Sequence, residues 1–280
     1  MFQKLLVCTD GSPYGDVACR YGFQLAAALK AQLSGLHVLD VRMIEGPFIA
    51  DISGAMGATG YYAGLGQFKQ LMEAKGEAIR RSFIELAGNV GCNANLKVEM
   101  GHPVHVILEQ EESNDLLILG HQGENEQFGR EMIGSVADRV TRRATKSCLV
   151  TPHQYTPIQT IMAACDGSPI SEKVALTAAS LAKALNASLT VLTVNEKKTT
   201  DEVKVFVDKA EQTCIAAGCP PKVLILNGHA DEAILDSIVR EKLDMIVMGA
   251  HTHNRIRRWF VGCTTQRILA DSGIPALLVR

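Results

Sequence analysis

The sequence predicts an α/β chain built from two tandem, doubly wound parallel-sheet units. Three observations carry this expectation. Strand-like and helix-like segments alternate along the chain, the pattern of a parallel sheet covered on both faces. An apolar run that halts at glycine and leads into a helix occurs twice, as Leu116-Leu117-Ile118-Leu119-Gly120 and as Leu243-Asp244-Met245-Ile246-Val247-Met248-Gly249. The turn Asp10-Gly11-Ser12-Pro13 recurs 156 positions later as Asp166-Gly167-Ser168-Pro169.

Size and composition fit two units of ordinary domain size. The chain has 280 residues, 47% of them apolar, enough to fill sizeable cores. Its 28 basic and 30 acidic side chains leave a net charge of −2. No basic field argues for nucleic acid. No apolar run approaches the roughly 18 residues of a membrane helix. The opening MFQKLLVCTDGS reads as a short strand that turns at once, not as a signal peptide. Eight cysteines are scattered without a C-x-x-C pair, and Cys8, Cys148 and Cys165 lie inside strand-like runs. Reduced thiols in a cytosolic protein are the expectation.

In order, residues 3–9 read as a strand. Ser12 then suits an N-cap and Pro13 a first helical position. Ala18, Leu25 and Leu29 mark one helix face, and residues 33–38 the next strand. Val174, Leu181 and Leu185, then the strand at 189–194, repeat these at the same offset, so the chain is a duplication. Residues 42–70 break the symmetry. They mix Gly46, Gly54, Gly57, Gly60, Gly64 and Gly66 with Phe48, Ile49, Met56, Tyr61 and Tyr62. This stretch is too apolar for a solvated linker and too glycine-rich for a regular helix, so it is expected to be a long excursion serving as lid or interface. Its apolar character predicts a homodimer.

Both halves resume with an amphipathic helix, at 68–86 and 201–217, ending at Gly91-Cys92 and Gly218-Cys219. Strands leading to Gly101-His102 and Gly228-His229 follow, then a helix, the glycine-ended strand, a further helix opened by Gly134-Ser135 or by Gly262, and a closing strand. The expected division is 1–152, a linker at 153–159, and 160–280. The closing strands near Cys148 and Leu278 are expected to meet across an internal pseudo-twofold.

In such sheets ligands sit beyond the carboxyl ends of the strands, where strand order reverses. The marked strand ends are Asp10 and Gly120, then Asp166 and Gly249. Glycines let backbone N–H groups face a ligand, and a helix start adds unpaired donors and partial positive charge. An acid beside a glycine cradle suggests a phosphorylated, nucleoside-like ligand, with Val38 or Val194 flanking a base.

These residues resemble a tandem universal stress protein, two UspA-type domains in one polypeptide covering nearly the whole length. ATP-binding members of that family carry G-2x-G-9x-G-(S/T) after the fourth strand, an Asp after the first and a Val ending the second. The resemblance places these on Asp10, Val38, Gly120, Gly123, Gly134 and Ser135, and on Asp166, Val194, Gly249, Gly262 and Cys263. Thr9, Leu119, Cys165 and Met248 would line the two pockets. Two departures stand out. Ten residues rather than nine separate Gly123 from Gly134, which either bulge outward or pull the helix start away from the phosphates. In the second half Thr252 replaces a glycine and Cys263 a Ser/Thr, with Thr264 as a substitute hydroxyl and His251, His253 and Arg255 as nearby charge.

The resemblance implies binding of ATP, with AMP or ADP as alternatives and Mg²⁺ as a companion, in a sensor or switch acting on a stress-pathway partner. Two rival readings stand beside it. One is a nucleotide-independent scaffold working through residues 42–70, and the other a slow ATPase. A dedicated enzyme is not expected, because neither a P-loop nor a nucleophile–base pair appears. His102 and His105 lack the companions of a metal site.

Overall fold

The computed structural model describes the backbone of residues 2–45, 47–124, 133–195, 200–250 and 262–280, and side-chain surroundings for these apart from residues 44–65 and 200. The first half runs β1 (Lys4–Cys8), α1 (Pro13–Leu29), β2 (Gln32–Asp40), α2 (Arg42–Glu45), α3 (Pro47–Asn89), β3 (Asn95–Gly101), α4 (Pro103–Gln110), β4 (Leu116–Gly120), α5 (Ser135–Arg143) and β5 (Ser147–Thr151). The second runs β6 (Thr160–Ala164), α6 (Ser171–Leu185), β7 (Ser188–Asn195), α7 (Thr200–Ala216), β8 (Lys222–Asn227), α8 (Ala230–Arg240), β9 (Met245–Gly249), α9 (Cys263–Asp271) and β10 (Ala276–Val279).

The ten strands form one sheet in the order β3-β2-β1-β4-β5-β10-β9-β6-β7-β8. Every pairing within a half is parallel, and the halves join through β5 and β10, which run antiparallel. Leu278 stands opposite Cys148 and Leu277 opposite Leu149, the meeting of closing strands that the repeat predicts. Strand order reverses between β1 and β4 in one half and between β6 and β9 in the other, so each half has a switch-point crevice.

Period-two alternation distributes the strand side chains between two layers. Leu5, Val7, Leu116 and Ile118 join a core that also holds α1, Phe83 of α3 and α6, and this core is continuous across both halves. Leu6, Leu117 and Leu119 face the other way, against Val106 and Ile107 of α4 and Val140 of α5. Ile234, Ile238 and Ile268 close the matching layer in the second half. Burial pushes the Cys148 and Cys165 thiols up to about 12, as expected of inert core cysteines.

Two expectations about local structure are corrected. The glycine-rich stretch is helical: residues 42–45 form α2, and from Pro47 the chain continues without a break into the 43-residue helix α3. Adding a residue to an existing helix gains a hydrogen bond without a new nucleus, which offsets the glycine penalty. At about 1.5 Å per residue the helix is roughly 65 Å long, about twice the reach of nine-residue β2 beneath it. The second correction concerns Ser168 and Pro169. Ser12 caps α1, accepting the Gly15 N–H at 3.2 Å, and Pro13 is its first residue. In the second half the helix starts two positions later at Ser171, with no side-chain cap.

Candidate functional site

The crevice of the first half is built on the turn after β1. Gly11 adopts φ +78°, a backbone that favours glycine. Asp10 Oδ1 accepts the Ser12 N–H at 3.0 Å, the local bond of an Asx turn. The same carboxylate does more. Its Oδ2 accepts the Glu124 N–H at 2.7 Å, tying the β1 turn to the glycine loop after β4.

That tie explains the glycines. A Cβ on Gly123 would sit 2.9 Å from Asp10 Oδ2, and one on Gly120 would sit 3.0 Å from the Tyr14 carbonyl oxygen in the first turn of α1. The loop lies directly on the acid and on α1, so a side chain at either position displaces something.

The extra residue between Gly123 and Gly134 does not draw the helix away from the strand. The Gly134 N–H donates to the His121 carbonyl at 2.7 Å, while the His121 N–H donates to Thr151 at 2.9 Å. The start of α5 is therefore held at the end of β4. Gly134 is the N-cap and has no side chain to satisfy the first turn. The first-turn N–H groups of α5 consequently give this end of the crevice the donors and partial charge that suit an anion.

Three side chains that the motif did not single out for ligand binding complete the crevice. His37 in β2 is buried, and its Nδ1 donates to the Thr9 carbonyl at 2.9 Å, which fixes the hydrogen on that nitrogen. Burial holds the imidazole below its ordinary range; the Thr9 carbonyl and Asp10 pull upward, Lys75 downward and Glu124 upward. Lys75, on α3, forms an ion pair with Glu124. Ile79, one turn further along α3, lies against Gly11. The signal for His37 was available: its repeat partner Thr193 makes the same bond, Oγ1 donating to the Cys165 carbonyl at 3.0 Å. For Lys75 there was none, because its place beside Glu124 follows from how α3 packs and not from a spacing in the chain.

The remaining expected residues divide as follows. Val38 and Val194 lie half-buried near the ends of β2 and β7. The Thr9 and Cys165 carbonyls are engaged by His37 and Thr193, and the Leu119 carbonyl accepts the Thr151 hydroxyl at 3.3 Å. Met248 is buried in β9. In the second crevice the Asp166 carboxylate accepts the Ser168 N–H and the Ser171 hydroxyl, both at 2.9 Å, while Ile170 occupies the space beside Gly249. Gly262 is the N-cap of α9, Cys263 is exposed at its first position, and Thr264 is half-buried. His251 and Thr252, with His253 and Arg255, lie outside the described residues. Among the described residues no group of three His, Cys, Asp or Glu is placed to hold a metal ion.

The model of the universal stress protein family matches residues 1–152 and again residues 157–280. The chain belongs to the universal stress protein family. It is similar along its length to universal stress protein Slr1230 of Synechocystis sp., 29% identical over 286 residues that cover 99% of this chain and 100% of the relative. A Thermus aquaticus universal stress protein is 32% identical over 135 residues, 44% of this chain and 98% of that one. The solved universal stress protein of Archaeoglobus fulgidus DSM 4304 superposes with a TM-score of 0.77, covering 99% of this chain and 98% of that one at 18% identity. That last likeness concerns the fold alone. No helix among the described residues is long and apolar enough to cross a membrane.

Proposed function

We propose that this universal stress protein binds an adenine nucleotide, ATP in the first instance, in the crevice of its first half, and that occupancy acts as a switch. The observation that carries this is the Asp10 carboxylate, which holds the glycine loop through the Glu124 N–H at 2.7 Å. An acid that only shaped its own turn would not reach across to β4. Placed there, it meets a ribose or base edge, while Gly120, Gly123 and the Gly134–Ser135 start of α5 receive phosphate, and Val38 flanks the base. The cradle fits the group, since Gly120 and Gly123 add no side chain beside Asp10 and α5 begins there without a side-chain cap. Mg²⁺ would arrive on the phosphates rather than on a protein site. The second half, with Ile170 beside Gly249, is the structural partner across the pseudo-twofold.

The reading is of a switch in the stress response, cytosolic and without dedicated turnover; it rests on the absence of a nucleophile–base pair from the sequence. A homodimer is proposed from the length of α3, which outruns the strands it covers. Deleting residues 47–65 should abolish self-association in sedimentation while leaving nucleotide binding intact.

The nucleotide reading is tested by equilibrium dialysis with labelled ATP. Asp10→Ala should lower affinity about tenfold, the loss of one charge-assisted hydrogen-bonding position. Unchanged affinity in the folded variant would assign Asp10 to the turn alone. Phosphate release that vanishes in an Asp10→Ala/Asp166→Ala double variant would instead favour an ATPase.

A further inference from the structure

The motif residues of the first crevice supply backbone donors and one acid, but no side-chain cation. The structure brings one from outside the motif. Lys75 stands on α3, above the carboxyl end of β2, and is ion-paired with Glu124, the residue following Gly123 of the loop after β4. The pair therefore spans the crevice from the β2 side to the β4 side. Beneath it lies Asp10, whose carboxylate accepts the backbone N–H of the same Glu124.

We propose that Lys75 is a phosphate-binding residue of this crevice and that Glu124 holds it in reserve, so that the ion pair is exchanged for the ligand's phosphates on binding. This rests on the nucleotide reading above and extends it to which nucleotides are preferred. Three observations carry it.

The first is position. The pair links α3 to Glu124, the residue next to Gly123, and its charges reach His37, the neighbour of Val38 in β2, so a nucleotide with its base at Val38 and its phosphates at Gly123 would meet it.

The second is energetic. Both side chains are 49% exposed. Exposed pairs of this kind contribute little, so opening the pair is an easy exchange.

The third is charge balance. Of the described groups whose charge reaches buried His37 between the strands, Asp10 and Glu124 are anionic and Lys75 is cationic. A polyphosphate entering a crevice with two carboxylates is repelled unless the cation turns to it. A lysine on a flexible stem can make that turn, and its ammonium binds phosphate as a point charge.

The consequence is selectivity by phosphate number. Adenosine neither needs Lys75 nor contests Glu124, whereas ATP does both. The test titrates adenosine, AMP and ATP at fixed Mg²⁺ into the wild type, Lys75→Met, Lys75→Arg and Glu124→Gln, each confirmed folded by circular dichroism. Lys75→Met should weaken ATP about tenfold and leave adenosine unchanged, the ordinary weight of one charge-assisted bond. Lys75→Arg should restore most of the ATP affinity. Glu124→Gln removes both the competitor and its repulsion, so it should tighten ATP several-fold without affecting adenosine. ATP affinities equal to wild type in Lys75→Met and Glu124→Gln would overturn the proposal while leaving the nucleotide reading standing. Silence of all four proteins towards both adenosine and ATP would remove the nucleotide reading, and this proposal with it.

Discussion

Thr9 and Ser171 perform the same task from opposite sides of the same turn. The Thr9 hydroxyl, at the end of β1, accepts the Gly11 N–H at 3.2 Å. In the second half Cys165 replaces that threonine, and the hydroxyl comes from the helix: Ser171 accepts the Gly167 N–H at 3.1 Å and the Asp166 N–H at 3.2 Å. The position equivalent to Ser171 in the first half is Gly15, where a Cβ would lie 2.4 Å from Thr9 Oγ1. The two halves thus carry alternative solutions of one packing problem, each excluding the other.

The exclusion is measurable. Gly15→Ser alone forces a side chain against the Thr9 hydroxyl and should destabilise by about 1–3 kcal/mol. Adding Thr9→Cys reproduces the second half's pair and should recover most of that loss. Urea midpoints of the two single variants and the double variant form the cycle. Additive effects would show that the two positions are not coupled.

The junction of the halves should behave as core. Leu149 of β5 is fully buried opposite Leu277 of β10. Leu149→Ala should therefore cost about 2–5 kcal/mol. A single cooperative transition moved to lower urea is the expected result. A loss under about 0.5 kcal/mol, the size of a surface effect, would contradict a shared core.

His37 gives stability a pH dependence. Burial lowers its folded pKa below the ordinary 6.5, so the unfolded chain binds the proton more readily. Its contribution is fully present above about pH 6.5 and is lost as pH falls toward the depressed folded value. His37→Thr copies Thr193, keeps a donor for the Thr9 carbonyl and has nothing to protonate. Its urea midpoint should fall less than that of the wild type between about pH 7.5 and 5. Parallel losses would place the pH dependence elsewhere.

Much of this was legible in the sequence, because duplication lets one half read the other. The offset that relates Asp10 to Asp166 also fixed the first strands and helices, and the repeated closing strands led to Cys148 facing Leu278. Glycine runs misled, since local propensity is a weak prior once a long helix is already propagating. Ser168-Pro169 misled for another reason. The repeat of letters concealed Ser171, which takes the N–H groups of the turn and shifts the helix start. Lys75 was beyond reach because its place beside Glu124 follows from the packing of α3, not from any spacing in the chain.

The most direct test of nucleotide binding in the first half is calorimetric titration of ATP, with Mg²⁺, into nucleotide-stripped wild type, Gly123→Val and Gly249→Val. In the first variant the new side chain meets Asp10, the acid of the first crevice; in the second it meets Ile170, in the other half. Saturable binding by the wild type and by Gly249→Val, lost in folded Gly123→Val, is the predicted result. A flat trace from folded wild type, or binding that survives in Gly123→Val and disappears in Gly249→Val, would contradict it.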